Sequence, residues 1–64
     1  DKPMTINSHQ GNEFNYVLQG QMEIMVAGKS TILNPGDSIM FDATLPHGMR
    51  TTGGETVKFL AIIS

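Results

Sequence analysis

Polar and apolar positions alternate along much of this chain with the period of strands. In Gln21-Met22-Glu23-Ile24-Met25-Val26, the residues Met22, Ile24 and Val26 fall on one face, the period-two signature of a half-buried strand. The run before it, Phe14-Asn15-Tyr16-Val17-Leu18, is aromatic and β-branched and stops at Gln19-Gly20, which predicts a strand followed by a turn. Ala27-Gly28 is the expected hairpin turn, with a return strand over residues 29–33. Further strands are expected over residues 38–41, 47–51 and 56–63. Between them lie Asn34-Pro35-Gly36-Asp37, the connection 42–46 and Thr52-Gly53-Gly54-Glu55, which are turn and connection segments. Residues 4–8 read as an extended lead-in after Pro3. Nothing has a helical period, and short strands with turn signals every eight to twelve residues or so predict an all-β sandwich or barrel.

Two strands are apolar on both faces. Phe14, Tyr16 and Leu18 oppose Val17, and Phe59, Ala61 and Ile63 oppose Leu60 and Ile62. Such strands are normally covered on both sides, and the expected cover is upstream sequence together with a second subunit, making a homodimer. Composition points the same way. With 64 residues the chain is one small domain, 1–64, and a domain of this size hides only about 60% of its unfolded surface. There is no cysteine, hence no disulfide and no thiolate site, which leaves packing, a metal or a partner to stabilise it.

Charge removes some functions. Lys2, Lys29, Arg50 and Lys58 are scattered and are outnumbered by six Asp and Glu, so no basic stripe exists to neutralise phosphates and no direct nucleic-acid contact is expected. No apolar run approaches the roughly 20 residues of a membrane span, and Asp1-Lys2-Pro3-Met4 has no signal-peptide pattern. The expectation is a cytoplasmic domain without a membrane partner. Because the chain does not open on Met, it is expected to be a piece of a longer protein.

Chemistry concentrates in Asn7-Ser8-His9-Gln10-Gly11-Asn12-Glu13, with His47 as the one other imidazole. Asn7, His9, Gly11 and Glu13 share strand parity, yet on a straight strand His9 and Glu13 would lie about 13 Å apart at roughly 3.3 Å per residue. For the two to share an ion the chain must bend at Gln10-Gly11-Asn12. Glu13 also shares parity with Val17, which directs it inward, where a charge needs a partner. On their own, His9 and His47 read more readily as surface or hydrogen-bonded histidines. Asn15 and Arg50 are polar positions near the expected cavity, suited to an anionic or hydroxylated ligand. Met22, Met25, Met40 and Met49 are assigned to core packing, Tyr16 and Phe41 to structure. Ser30 and Ser38 have no base within reach, so nucleophilic chemistry gains no support.

In order and spacing, His9, Glu13, Gly20, Gly36-Asp37 and Pro46-His47 resemble the two motifs of the cupin superfamily, over nearly the whole chain. The resemblance implies a small double-stranded β-helix, or jelly roll, holding a metal; carried over by position, His9, Glu13 and His47 are its ligands. Asn7 stands where the family has its first histidine, and Asp42 and Thr44 stand where its second motif has proline and glycine. Two imidazoles and one carboxylate are the donor set of non-haem Fe(II) oxygenases, and the set also suits Zn, Mn, Ni or Co. Asn7, Asn15 and Arg50 remain candidate ligand contacts.

Within the superfamily, Glu13-Phe14-Asn15-Tyr16-Val17-Leu18-Gln19-Gly20, Gly36-Asp37-Ser38-Ile39 and Leu45-Pro46-His47-Gly48-Met49 are similar to two kinds of domain. One is the C-terminal cupin sensor of XRE-type helix-turn-helix regulators; the other is the cupin domain of hydroxypropylphosphonate epoxidases. The first likeness implies the small-molecule- and metal-sensing module of a transcriptional regulator. The alternative is a mononuclear metal-dependent oxygenase, epoxidase or isomerase, and a third reading is a metal-free structural or carbohydrate-binding cupin.

Overall fold

Six strands make up the protein in a computed structural model that describes residues 4–54 and 56–64. They are β1 (Asn12–Gln19), β2 (Met22–Val26), β3 (Lys29–Leu33), β4 (Ser38–Asp42), β5 (His47–Thr51) and β6 (Lys58–Ile63). All pair antiparallel in two three-stranded sheets, ordered β4-β1-β6 and β3-β2-β5. The all-β jelly-roll expectation is met. The first strand starts at Asn12, two residues before the expected Phe14, and the last starts at Lys58 where 56 was expected. The expectations that fall on residues 1–3 and on Glu55 lie outside the described residues.

Local chemistry explains the turns. Ala27 (φ 50°) and Gly28 (φ 84°) both take positive φ between the paired Val26 and Lys29, the two-residue turn whose twist matches a hairpin. At Asn34-Pro35-Gly36-Asp37 the Asp37 amide donates to the Asn34 carbonyl (2.9 Å) and the Asp37 carboxylate accepts from the Asn34 amide (2.8 Å). That turn delivers β4 alongside β1, where Val17 and Asp37 are joined by a further backbone bond of 3.0 Å.

Between the sheets, Val17, Met22, Ile24, Leu33 and Phe41 form the core, with Val26, Ile39, Met49 and Val57 packed against it. Each fully buried side chain of this size contributes on the order of 1.5–3 kcal/mol. The predicted stripe of Met22, Ile24 and Val26 is the inward face of β2. On β1 the inward face is Glu13, Asn15 and Val17, all buried, while Phe14 and Tyr16 are half-buried on the outside. Two assignments are corrected: Met40 is not core but 71% exposed, because it pairs with Phe14 on the outer face of its sheet, and Met25 is half-buried on the outer face of β2, opposite in parity to Ile24 and outside the core cluster. The two-faced strands behave differently from one another, since β1 sits centrally between β4 and β6 whereas β6 is exposed along its whole length.

Among the described residues there is no helix long and apolar enough to cross a membrane.

Candidate metal centre

Three elements from two sheets meet at one mouth of the sandwich. The residues before β1 run first along β5 and then along β4. Asn7 and His47 exchange backbone hydrogen bonds of 2.8 and 2.9 Å, after which the His9 amide donates to the Ala43 carbonyl (2.9 Å). The Ala43 amide in turn donates to the carbonyl of Gly11, not of His9 (2.9 Å). Residues 9–11 therefore bulge opposite Ala43, a local insertion that re-aims the flanking side chains. Gly11 takes φ 103° in this bulge, a conformation few other residues tolerate. The bend expected between His9 and Glu13 is this bulge.

Its result is convergence. His9 Nε2 lies 3.1 Å from Glu13 Oε1, and His47 Nε2 lies 3.4 Å from the same oxygen. The pairing of β5 with β2 sets His47 opposite Val26 on the inward face, and the Phe41 ring covers it at a centroid distance of 4.9 Å. Glu13 and His47 are each 5% exposed, whereas the His9 side chain is 35% exposed.

Second contacts fix which atoms point inward. His47 Nδ1 lies 2.8 Å from the Leu45 carbonyl, and His9 Nδ1 lies 3.2 Å from the Gln10 carbonyl. A carbonyl oxygen only accepts, so Nδ1 donates to it in the tautomer that leaves Nε2 for a metal, whereas without an ion the Glu13 carboxylate, which also only accepts, favours a proton on Nε2. With a cation between them and the carboxylate, both Nε2 atoms could present lone pairs to it. Imidazoles tied back through the other ring nitrogen are the usual form of histidine metal ligands.

The donor set fits a divalent ion. At metal–ligand bonds of about 2.0–2.2 Å, neighbouring donors sit about 3.0 Å apart in octahedral and about 3.4 Å apart in tetrahedral coordination, the spacing found between Glu13 Oε1 and the two imidazoles. All three donor atoms lie within 4.8 Å of one another. Two histidines and a carboxylate leave positions open for a further ligand. The three side chains line a cleft of about 510 Å³ together with Thr5, Asn7, Ser8, Gly48 and Met49.

Of the other candidates, Asn7 lines the cleft. Asn15 is fully buried beneath Glu13, its Nδ2 donating to Oε2 at 2.9 Å. Its Oδ1 has no protein partner among the described residues. Arg50 does not join the site. It stands opposite Glu23 on the outer face of the other sheet and donates to it at 2.7 Å, and this hydrogen bond, with a lesser one from Ser30, holds the Glu23 carboxyl below its ordinary range. Parity carried the signal: two strand residues of like parity share a face, and Arg50 has the opposite parity to His47. Thr5, Ser8 and the carbonyls of Leu45 and Gln10 escaped sequence reasoning. A backbone carbonyl has no sequence signature, and two small hydroxyl residues in a lead-in segment have almost none.

The family model described as a cupin domain matches residues 3–63. Among curated proteins none matches the chain. Solved structures do. Hydroxypropylphosphonic acid epoxidase from S. wedmorenis in complex with fosfomycin is similar at a TM-score of 0.88 and 29% identity, over 100% of this chain and 38% of that one. The iron(II) form of the epoxidase with its substrate gives 0.87 and 29%, over 97% and 37%, and the cobalt(II) form with substrate gives 0.86 and 29%, over 95% and 36%. The chain thus spans little more than a third of the length of these structures.

Proposed function

The chain belongs to the cupin family, and from that premise we propose that it is the metal-holding part of a mononuclear, divalent-metal-dependent enzyme that oxidises a small hydroxylated molecule, with epoxidation as the nearest reaction class. The observation that carries this reading is the convergence of His9 Nε2 and His47 Nε2 on Glu13 Oε1, with both Nδ1 atoms committed to backbone carbonyls. The iron(II) and cobalt(II) bound by the similar epoxidase structures support the same donor set here. Sensing for a regulator, the first expectation from the local wording, has less support, because those similar structures are of an enzyme.

A bound metal of this kind supplies Lewis acidity and, as iron, redox capacity. The chain's own residues do the rest. Glu13 brings the negative charge that balances the cation, and the tied-back imidazoles hold their lone pairs in place without reorganisation. Phe41 and Met49 make the inner wall apolar and limit water behind the site. At the rim, the Thr5 and Ser8 hydroxyls and the Asn7 amide offer hydrogen bonds to a substrate's hydroxyl or acid oxygens, orienting it toward the open positions.

The test is oxygen consumption. Iron(II)-loaded protein mixed with hydroxypropylphosphonic acid in aerated buffer is expected to take up dioxygen in a substrate-dependent manner and to yield an epoxide detectable by mass spectrometry. Metal-loaded protein that neither consumes oxygen nor changes its cobalt(II) absorption on adding this substrate or short hydroxy acids would argue for the sensor reading instead.

A further inference from the structure

We propose that Asn15 is the positioning residue of the metal carboxylate: its amide holds Glu13 Oε2 so that Oε1 alone faces the two imidazoles. The inference rests on the metal reading above and deepens it.

Three observations lead there. On β1 the consecutive inward positions are Glu13, Asn15 and Val17, and side chains two apart on a strand share a face at about 6.6 Å along it. Asn15 is therefore placed behind the carboxylate, on the side away from the cleft rim. It is also wholly buried, and its cross-strand partners are the apolar Ile39 and Ala61. A valine or leucine would serve packing better there, as Val17 does one step along, and would carry no amide to desolvate. Finally, Asn15 Nδ2 donates to Glu13 Oε2 at 2.9 Å, and among the described residues this is its one side-chain partner. This orientation is forced, because a carboxylate accepts and cannot satisfy a carbonyl oxygen. An amide kept at zero exposure and bonded to a carboxylate of the candidate metal centre is explained by what that bond does to the carboxylate.

The consequence is a one-oxygen ligand. With Oε2 bonded to an N–H, turning the carboxylate to present both oxygens would strain or break that bond, which favours ligation through Oε1 alone. Outer partners of this type typically change metal affinity by about 10–100-fold when removed.

Asn15→Leu keeps the branched shape, at a larger volume, and removes the donor; Asn15→Thr keeps a donor on a strand-favouring side chain. Cobalt(II) titrations are expected to show a 10–100-fold weaker Asn15→Leu site with an altered visible spectrum, reporting a change in coordination number. Asn15→Thr should retain most of the wild-type affinity and spectrum. A merely structural role predicts a lower melting temperature with wild-type affinity and spectrum, and that result would overturn the proposal. Should Asn15→Leu not fold, NMR of the wild-type side-chain amide decides: its protons are expected to be protected from exchange and strongly shifted by cobalt(II), and free exchange with no shift contradicts the role. Wild-type protein that binds no cobalt(II) overturns the metal reading and this role together. Normal wild-type binding with an indifferent Asn15→Leu overturns the role alone.

Discussion

Asn7 and His47 stand directly opposite each other, joined by reciprocal backbone hydrogen bonds of 2.8 and 2.9 Å. Directly opposed residues in an antiparallel pair place their Cβ atoms about 4.5–5.5 Å apart on one side. The position where the cupin motif has its first histidine is thus occupied by an amide beside the candidate ligand His47. Asn7→His is expected to add a fourth protein donor, tightening zinc or cobalt(II) binding by about tenfold or more, or roughly 1.4 kcal/mol. Competition titration against a coloured chelator reads this directly, and unchanged affinity would show that residue 7 does not reach the ion.

Gly11 makes the bulge that joins His9 to Glu13. A Cβ there would run into the Ser64 carbonyl oxygen, and the φ of 103° is strained for any side chain. Gly11→Ala should destabilise the fold by about 2 kcal/mol or more, a fall of roughly 10 °C in melting temperature for a domain of this size. Because the bulge also sets the spacing between His9 and Glu13, metal affinity should fall as well, a coupling that parallel thermal melts and titrations can detect.

The acid limb of stability should carry the signature of Asp42. Its carboxylate accepts from the Thr44 hydroxyl (2.7 Å) and the Thr44 amide (2.9 Å), and these bonds hold it below the ordinary carboxylate value. A carboxyl depressed in the folded state stabilises that state above its unfolded pKa, about 3.9, and the contribution disappears as pH falls through the folded value. Asp42→Asn can still accept from Thr44 but does not titrate. Its melting temperature is expected to fall less steeply than wild type between pH 4 and pH 2, and parallel curves would contradict the assignment.

Ile24 is fully buried in a core shared with Val17, Met22, Leu33 and Phe41. Ile24→Ala should cost about 2–5 kcal/mol, a large share of what a small domain has. Metal binds only the folded form, so saturation at about 100-fold over Kd should return roughly 2.7 kcal/mol. Circular dichroism melts with and without zinc are expected to show partial rescue of this variant.

Much of this architecture was legible because strand parity is cheap to read. The stripe of Met22, Ile24 and Val26, the turn formers and the inward direction of Glu13 all follow from period two, and the His9–Glu13 distance on a straight strand required a bend where Gly11 sits. What the sequence left dark depends on register between strands. That Asn15 caps Glu13 rather than facing a ligand, and that Arg50 pairs with Glu23 on the far face, are cross-strand or same-face contacts whose partners only the folded pairing selects. Met40 misled because methionine is common in cores, whereas its strand offered the inward side to Ile39 and Phe41.

His9, Glu13 and His47 are grouped so that they could hold one metal ion. Elemental analysis of protein reconstituted with iron(II) or zinc and freed of excess metal tests this most directly. One metal ion per chain is expected in the wild type, with a near-complete loss in His47→Ala at unchanged fold. Retention of the same metal content by folded His47→Ala, or none in the wild type, would contradict it.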